Sequence, residues 1–204
     1  MAITTTARSR RFLASALSVA ALSAGFLSVG GAANAATAEA PGAPSAPAQS
    51  CSYDLGTGSL VCVDDGDDLN EAVLEQQHLL VVAPSGARGA AVDALAAPVG
   101  APSPAALAGA KATFVQAQLF DDAGYGGSFF QITNSSACNG STVWYFGPLG
   151  NVGWSGRVSS FKSFSNCTTK LWQGTNYTGA SYGYSANATN LGSMNDKANS
   201  VTVR

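Results

Sequence analysis

The sequence predicts an all-β protein whose C-terminal part, residues 112–204, folds as an antiparallel sandwich or barrel. The residues after Lys111 are rich in Gly, Ser, Thr, Asn and aromatic side chains, and they form short runs that alternate in hydropathy. Each run has the length of a strand and is bounded by turn residues, without a convincing helical pattern. An internal repeat with an offset of 52 residues adds a third indication.

The first 35 residues predict a secretory signal peptide. Basic residues, including the pair Arg10 and Arg11, precede an apolar run from residue 12 to 29, and an Ala-x-Ala sequence follows at residues 33–35. Serines within the run argue against a transmembrane anchor. The paired arginines leave twin-arginine and ordinary export open. We therefore expect a secreted protein with no membrane span after cleavage, and the Ala-rich leader suggests a bacterial source.

The region between the leader and the all-β part is predicted to be small and partly disordered. Residues 36–50 form an Ala/Pro-rich spacer with too few apolar side chains to order itself. Residues 51–83 predict a hairpin and a helix at about 69–80, which begins at an Asp-x-x-Glu capping pattern starting at Asp68. Residues 84–111 return to Ala, Gly and Pro and predict a linker.

Charge is distributed unevenly along the chain. Residues 36–111 hold nine acidic and two basic residues, a net charge of about −7, whereas residues 112–204 carry about +2. Neither part has the dense basic face of a nucleic-acid-binding protein. We therefore expect no nucleic-acid partner.

Four cysteines remain after the predicted cleavage, and an even number in an oxidising compartment predicts two disulfides. Three pairings are possible from the sequence alone. We expect Cys51 to pair with Cys62 and Cys138 with Cys167, because each pair then lies within one compositional region.

Each repeat contains an aromatic residue, four residues, a second aromatic, one residue and a Gly. These positions are Phe120, Tyr125 and Gly127 in the first copy and Trp172, Tyr177 and Gly179 in the second. The pattern predicts a first strand that continues into a sharp fold over the sheet, with Gly where the chain needs a positive φ. A segment ending at Ser160 or Ser200 closes each copy, and its hydroxyl can bond to the folded hairpin.

Two such elements in register resemble the βγ-crystallin double Greek key over residues 112–204. The resemblance implies a βγ-crystallin-like sandwich of two Greek key motifs. Secreted bacterial proteins of this type include a metalloproteinase-inhibitor group and a killer-toxin-like group. The chain resembles these groups in its size, its export and its disulfide-bonded Greek keys.

The resemblance also implies calcium binding through six-residue segments of the pattern [ND]-[ND]-x-x-[ST]-S, with further ligands from the hairpin of the opposite repeat. Residues 195–200, NDKANS, keep the leading pair and the final Ser. Residues 155–160, SGRVSS, lack the leading pair, and Arg157 adds a positive charge. Residues 195–200 are therefore a better candidate for binding a cation than residues 155–160.

We expect at most one weak calcium site, with the ligands Asp121, Asn195, Asp196, Asn199 and Ser200. Asn199 would supply a carbonyl oxygen in place of Ser or Thr, and Asp121 follows the first aromatic of its hairpin, where the second repeat has neutral Gln173. Extracellular modules with few carboxylates bind calcium at roughly 10⁻⁴ to 10⁻³ M. The alternative is that Asn195 and Asp196 form a turn whose side chains bond to local backbone.

Enzymatic chemistry has little support in the sequence. His78 is the only histidine and lies in the predicted helix, outside the all-β part. Asp121 and Asp122 are neighbours, so on a strand they would point to opposite faces and would not act as an acid/base pair. The cysteines lack the C-x2-C spacing of a zinc site. We therefore expect a non-enzymatic protein.

One loop predicts a different kind of function. Residues Ala137, Cys138, Asn139 and Gly140 lie between two predicted strands and would be held by the disulfide to Cys167. A rigid exposed loop loses little entropy when it enters a protease cleft. The second functional hypothesis is therefore a monomeric inhibitor of a secreted peptidase, and the first is a binding module for a cell-surface target, stabilised by calcium.

Overall fold

The computed structural model describes residues 48–84, 86–88 and 107–204. The predicted signal peptide at 1–35, nearly all of the spacer at 36–50 and most of the linker at 84–111 lie outside these residues. No helix in the described ranges is long and apolar enough to cross a membrane. Both predicted disulfides, Cys51–Cys62 and Cys138–Cys167, are confirmed.

The described chain begins with a hairpin of strands β1 (Gln49–Asp54) and β2 (Ser59–Asp64). Cys51 and Cys62 lie directly opposite each other in this pair. The turn is shaped by Asp54, whose Oδ1 accepts hydrogen bonds from the backbone N–H groups of Gly56 (3.0 Å) and Thr57 (2.9 Å). The side chain of Asp54, at the end of β1, thus closes the turn between β1 and β2.

Helix α1 spans Leu69–Gln77, and strand β3 follows directly at Leu79–Val82. The Asp68 side chain caps its first turn by accepting from the N–H groups of Asn70 and Glu71. The helix ends three residues earlier than predicted, because His78 adopts a left-handed conformation with φ 54°. The Leu79–Val82 sequence LLVV then favours a strand, which pairs with β4 (Lys111–Phe120).

Strands β4 to β11 form two four-strand repeats. The remaining bounds are β5 Phe129–Asn134, β6 Trp144–Phe146, β7 Ser160–Ser163, β8 Thr169–Trp172, β9 Ser181–Ser185, β10 Asn187–Ala188 and β11 Ser200–Val203. One sheet has the order β10-β7-β4-β5-β1-β2, with β3 also paired to β4, and the other has the order β6-β11-β8-β9. Each repeat therefore places its third strand, β6 or β10, in the sheet of the other repeat.

The N-terminal hairpin and β3 extend the first sheet. Strand β1 pairs in parallel with β5, so that Cys51 lies beside Phe130, and β3 pairs in parallel with β4. An unpaired β5 edge would expose its backbone N–H and C=O groups, and β1 covers it. The domain boundaries predicted at 83–84 and 111–112 stay predictions, but the pairing shows that the hairpin shares a sheet with the repeats.

The first sheet is covered on both faces, which explains the continuous burial of β4 from Val115 to Phe120. The main core lies between the two sheets and contains Trp154, Phe130, Phe161, Leu171 and Val201. A second core packs α1 against the opposite face and contains Val61, Leu69, Val73, Val115 and Phe120. Buried amides connect the helix to the sheet, since Gln118 donates to Gln131 (2.8 Å) and Gln131 donates to Asn70 (3.2 Å).

Candidate functional site

The two folded hairpins are held by the same pair of hydrogen bonds. Ser160 Oγ accepts from the Tyr125 N–H (3.0 Å) and donates to the Asp122 carbonyl (2.6 Å). Ser200 Oγ accepts from the Tyr177 N–H (3.1 Å) and donates to the Gly174 carbonyl (2.7 Å). Each hairpin has a left-handed tyrosine and a Gly two residues later at φ 69° (Gly127) or φ 80° (Gly179).

The hairpins and the exchanged third strands together define the fold. The architecture is a βγ-crystallin-type double Greek key. In this double Greek key the second aromatic of each repeat packs differently. Phe120 lies against Tyr125, with ring centroids 5.7 Å apart, whereas Tyr177 contacts Tyr145 of the other repeat at 4.9 Å.

No family model and no curated protein matches this chain. Among solved structures, a βγ-crystallin domain from Clostridium beijerinckii is similar at 21% identity over 43% of this chain and 95% of that one, with a TM-score of 0.35. A βγ-crystallin domain from Flavobacterium johnsoniae is 23% identical over 43% of this chain and 92% of that one, with a TM-score of 0.34. A βγ-crystallin from Ciona intestinalis is 22% identical over 42% and 95%, with a TM-score of 0.33.

The two six-residue segments of the double Greek key lie side by side in opposite directions. The Gly156 N–H donates to the Ala198 carbonyl and the Asp196 N–H donates to the Val158 carbonyl, both at 3.0 Å. Residues early in one segment therefore lie beside residues late in the other. This alignment decides which of the predicted metal ligands can meet.

Asn195 and Asp196 form one group with Ser159, which we call the Asp196 cluster. The Ser159 hydroxyl donates to Asp196 Oδ1 (2.8 Å), and the Asn195 amide donates to Asp196 Oδ2 (2.7 Å). Asp196 is exposed and has a left-handed backbone with φ 54°. Its carboxylate is the only acidic side chain in the two segments.

Asn199 belongs to a second group, the Asn199 cluster, with Ser155 and two backbone carbonyls. The Ser155 hydroxyl donates to Asn199 Oδ1. Asn199 Nδ2 donates to the carbonyls of Gln173 (2.6 Å) and Lys197 (3.2 Å). The amide nitrogen thus donates to two carbonyl oxygens, which are groups of the kind that bind calcium.

The remaining predicted ligands have other partners. Asp121 Oδ2 accepts a hydrogen bond from Arg157 at 2.9 Å, and the Arg157 guanidinium also lies over the Trp154 ring, 4.3 Å from its centroid. Ser200 uses its hydroxyl to hold the Tyr177 hairpin. The five predicted ligands are therefore divided between two clusters, an ion pair and a hairpin bond.

Calcium takes about six to eight oxygen ligands. The Asn199 cluster does not fit this requirement, because its carbonyls already accept from an amide nitrogen. The Asp196 cluster offers a carboxylate and a hydroxyl, but its two carboxylate oxygens accept from the Ser159 hydroxyl and from the amide nitrogen of Asn195. A cation there would have to displace both donors and complete its shell with water. Within the described ranges, no group of three or more His, Cys, Asp or Glu side chains is placed to hold a metal. Calcium binding stays a prediction.

The loop around Cys138 is exposed and internally bonded. Ala137, Asn139 and Gly140 are exposed, whereas Cys138 is buried and joined to Cys167. Asn139 Oδ1 accepts from the N–H groups of Ser141 (2.9 Å) and Thr142 (2.8 Å). The disulfide of Cys138 and the turn that the Asn139 side chain forms therefore both restrain this loop.

His78 and the predicted acids form no catalytic arrangement among the residues described. His78 is an exposed helix cap, and Asp121 is paired with Arg157.

The sequence identifies the two six-residue segments, SGRVSS and NDKANS, but not the residues that bond to each other across them. Ser155 and Ser159 occupy the first and fifth positions of SGRVSS, and only the antiparallel alignment with NDKANS in the folded protein shows their roles. In the sequence alone Arg157 is only a nearby positive charge, whereas in the structure it pairs with Asp121 and lies over the Trp154 ring. Nothing in the sequence distinguishes the buried Asp54, because its partners Thr113 and Thr133 are far away along the chain.

Proposed function

We propose that this chain is an extracellular, non-enzymatic binding module in which one calcium ion strengthens the contact between the two repeats at the Asp196 cluster. The disulfides support an oxidising compartment. The hydrogen bond from Ser159 to Asp196 joins the two repeats and supports the site. A divalent cation beside the Asp196 carboxylate would neutralise its charge and draw in the Ser159 and Asn195 oxygens.

Calcium is expected to raise the melting temperature of the full chain. At a concentration about ten times Kd, binding to the folded state adds ~1.4 kcal/mol. For a domain of this size that corresponds to a rise of roughly 3–6 °C. Thermal unfolding followed by circular dichroism, with and without millimolar calcium, measures the shift.

Two variants make the test specific. Asp196→Ala should abolish the shift, whereas Asp65→Ala, which removes an exposed acid of the N-terminal hairpin region, should retain it. The proposal is wrong if millimolar calcium leaves the melting temperature unchanged, or if Asp196→Ala responds to calcium like the unmodified chain.

A second candidate function is inhibition of a secreted peptidase by the loop around Cys138. The observation that favours it is the closure of this exposed loop by the Cys138–Cys167 disulfide and the Asn139 turn. Such a loop is ordered before binding, which lowers the entropy cost of association.

Titration of secreted metallopeptidases and serine peptidases with the protein tests this candidate. An inhibitor should remove peptidase activity in proportion to its concentration, and the variant Asn139→Ala should inhibit less, because the loop then lacks its turn bonds. Full peptidase activity at micromolar excess of the unmodified protein would exclude inhibition of the peptidases titrated.

A further inference from the structure

The N-terminal hairpin helps to form a pocket that the two repeats alone would not complete. A cavity of about 280 Å³ is lined by Tyr53 and Leu55 of the hairpin and by residues of the first repeat, among them Tyr145, Phe146, Asn151 and Val152. None of these residues belongs to the Asp196 cluster or to the loop around Cys138. The pocket is therefore separate from both sites discussed above.

The aromatic wall of the pocket is fixed before any ligand binds. The Tyr53 ring lies 4.6 Å from the Phe146 ring, which stacks in turn on buried Phe130 at 5.1 Å. Strand β1 holds Tyr53 opposite Ile132 of β5. Because these rings are already packed, binding of a ligand would cost little conformational entropy in ordering them.

Tyr145 stands out on the same rim as a large exposed aromatic. Its side chain is 58% exposed, although it is held by an edge contact with the Tyr177 ring at 4.9 Å. Burial and the neighbouring Tyr145 raise the pKa of the Tyr177 phenol, so this ring stays neutral. An exposed ring with a fixed orientation is a ready stacking surface.

The lining is polar but carries no charged side chain. A phosphate, carboxylate or ammonium ligand would lose hydration there without gaining an ion pair. Phenol and amide groups, such as those of Tyr145 and Asn151, can donate to and accept from hydroxyl groups. The combination of ring faces and neutral hydrogen-bonding groups favours a ligand with apolar ring faces and many hydroxyls.

We propose that this pocket binds one ring of a neutral carbohydrate, stacked on Tyr145 and hydrogen-bonded by Asn151. The volume of about 280 Å³ lies just below the range for small-molecule pockets, roughly 300–1,000 Å³, and thus suits a ligand no larger than a single ring. A proline-rich peptide also prefers aromatic grooves, but it advances about 3.1 Å per residue and needs an elongated groove. This inference names the ligand class of the binding module proposed above and rests on that proposal, but not on its calcium site.

Isothermal titration of the full chain with two neutral probes, cellotetraose and chitotetraose, tests the proposal, with a proline decapeptide as the competing ligand. At least one sugar should bind, and Tyr145→Ala and Asn151→Ala should each weaken it about tenfold or more. Both side chains are exposed, so these variants should stay folded. Tyr145→Ala also loses the ring contact with Tyr177 and should lower the melting temperature by roughly 1–6 °C. Tyr184→Ala removes a half-exposed aromatic outside the pocket lining and should bind sugar unchanged.

The titrations are repeated in a calcium chelator and with Asp196→Ala, where sugar binding should persist. A missing calcium response with intact sugar binding would count against the Asp196 site alone. The carbohydrate proposal is overturned if neither tetrasaccharide binds, if Tyr145→Ala binds as well as the unmodified chain, or if only the proline peptide binds.

Discussion

Asp54→Ala is expected to lower the free energy of unfolding by about 3 kcal/mol or more. Asp54 is buried and its carboxylate accepts five hydrogen bonds. Two of them come from the hydroxyls of Thr113 (2.5 Å) on β4 and Thr133 (2.9 Å) on β5. Alanine would leave buried donors in both strands without an acceptor. Urea unfolding monitored by tryptophan fluorescence measures the loss.

Matched variants separate this effect from a general loss of charge. Asp65→Ala removes an exposed carboxylate and should change stability by less than about 0.5 kcal/mol. Thr113→Val keeps the shape of the side chain but removes one donor, and should cost about 1–2 kcal/mol. If Asp54→Ala were no more destabilising than Asp65→Ala, the carboxylate would have no role in joining the hairpin to the repeats.

The same carboxylate gives the protein a defined acid sensitivity. Burial alone would raise the pKa of Asp54, but hydrogen bonds from Thr113, Thr57 and Thr133 outweigh burial and hold the pKa below its ordinary value of 3.8. A lowered pKa in the folded state stabilises the protein above pH 3.8, and this contribution disappears as the pH falls through the folded-state pKa. The stability difference between the unmodified chain and Asp54→Ala should therefore shrink below about pH 4.

Replacing both Cys138 and Cys167 with serine should lower the free energy of unfolding by roughly 3.5 kcal/mol. The disulfide closes a loop between positions 29 residues apart, and the entropy of the unfolded chain rises when that loop opens. Both sulfurs also belong to the main core, where serine hydroxyls would be poorly satisfied. Urea unfolding under non-reducing conditions measures the change.

The second disulfide provides the comparison. Cys51 and Cys62 are only 11 residues apart, and β1 remains paired with both β2 and β5, so their replacement should cost less, about 2.8 kcal/mol or below. An equal or larger loss for the Cys51–Cys62 pair would contradict the view that the longer crosslink contributes more. Both double variants should keep their far-ultraviolet circular dichroism if the fold survives.

The features that the sequence predicted well are local. The aromatic, Gly and Ser positions of each repeat are set by a hairpin whose geometry is fixed within a few residues and then repeated. Alternation between apolar and polar residues places the strands of the second sheet for the same reason. The disulfide pairs follow from proximity within each compositional region, and the structure confirms them.

The features that the sequence did not predict depend on long-range contacts. Asp54 meets Thr113 and Thr133 across separations of 59 and 79 residues, and a lone acid at the end of a hairpin strand gives no sign of such partners. Likewise, β1 pairs with β5 across a separation of about 79 residues, and neither strand's own sequence names its partner.

The candidate metal residues illustrate the same limit. Spacing within NDKANS suggests that Asn195, Asp196 and Asn199 act together. The antiparallel alignment with SGRVSS instead brings Asp196 to Ser159 and Asn199 to Ser155, at opposite ends of the paired segments. Only the folded arrangement shows that a motif read as one ligand set serves two separate groups.

The exchange of β6 and β10 between the sheets has a consequence for how such a protein can be divided. A single repeat would lack one strand of its own sheet and would carry a strand with no sheet to join. Neither half is a complete folding unit, and a chain with one repeat could satisfy its backbone only by borrowing the missing strand from a second molecule. When two repeats lie in one chain, each receives the missing strand from the same molecule, where the effective concentration of that strand is far higher than in solution.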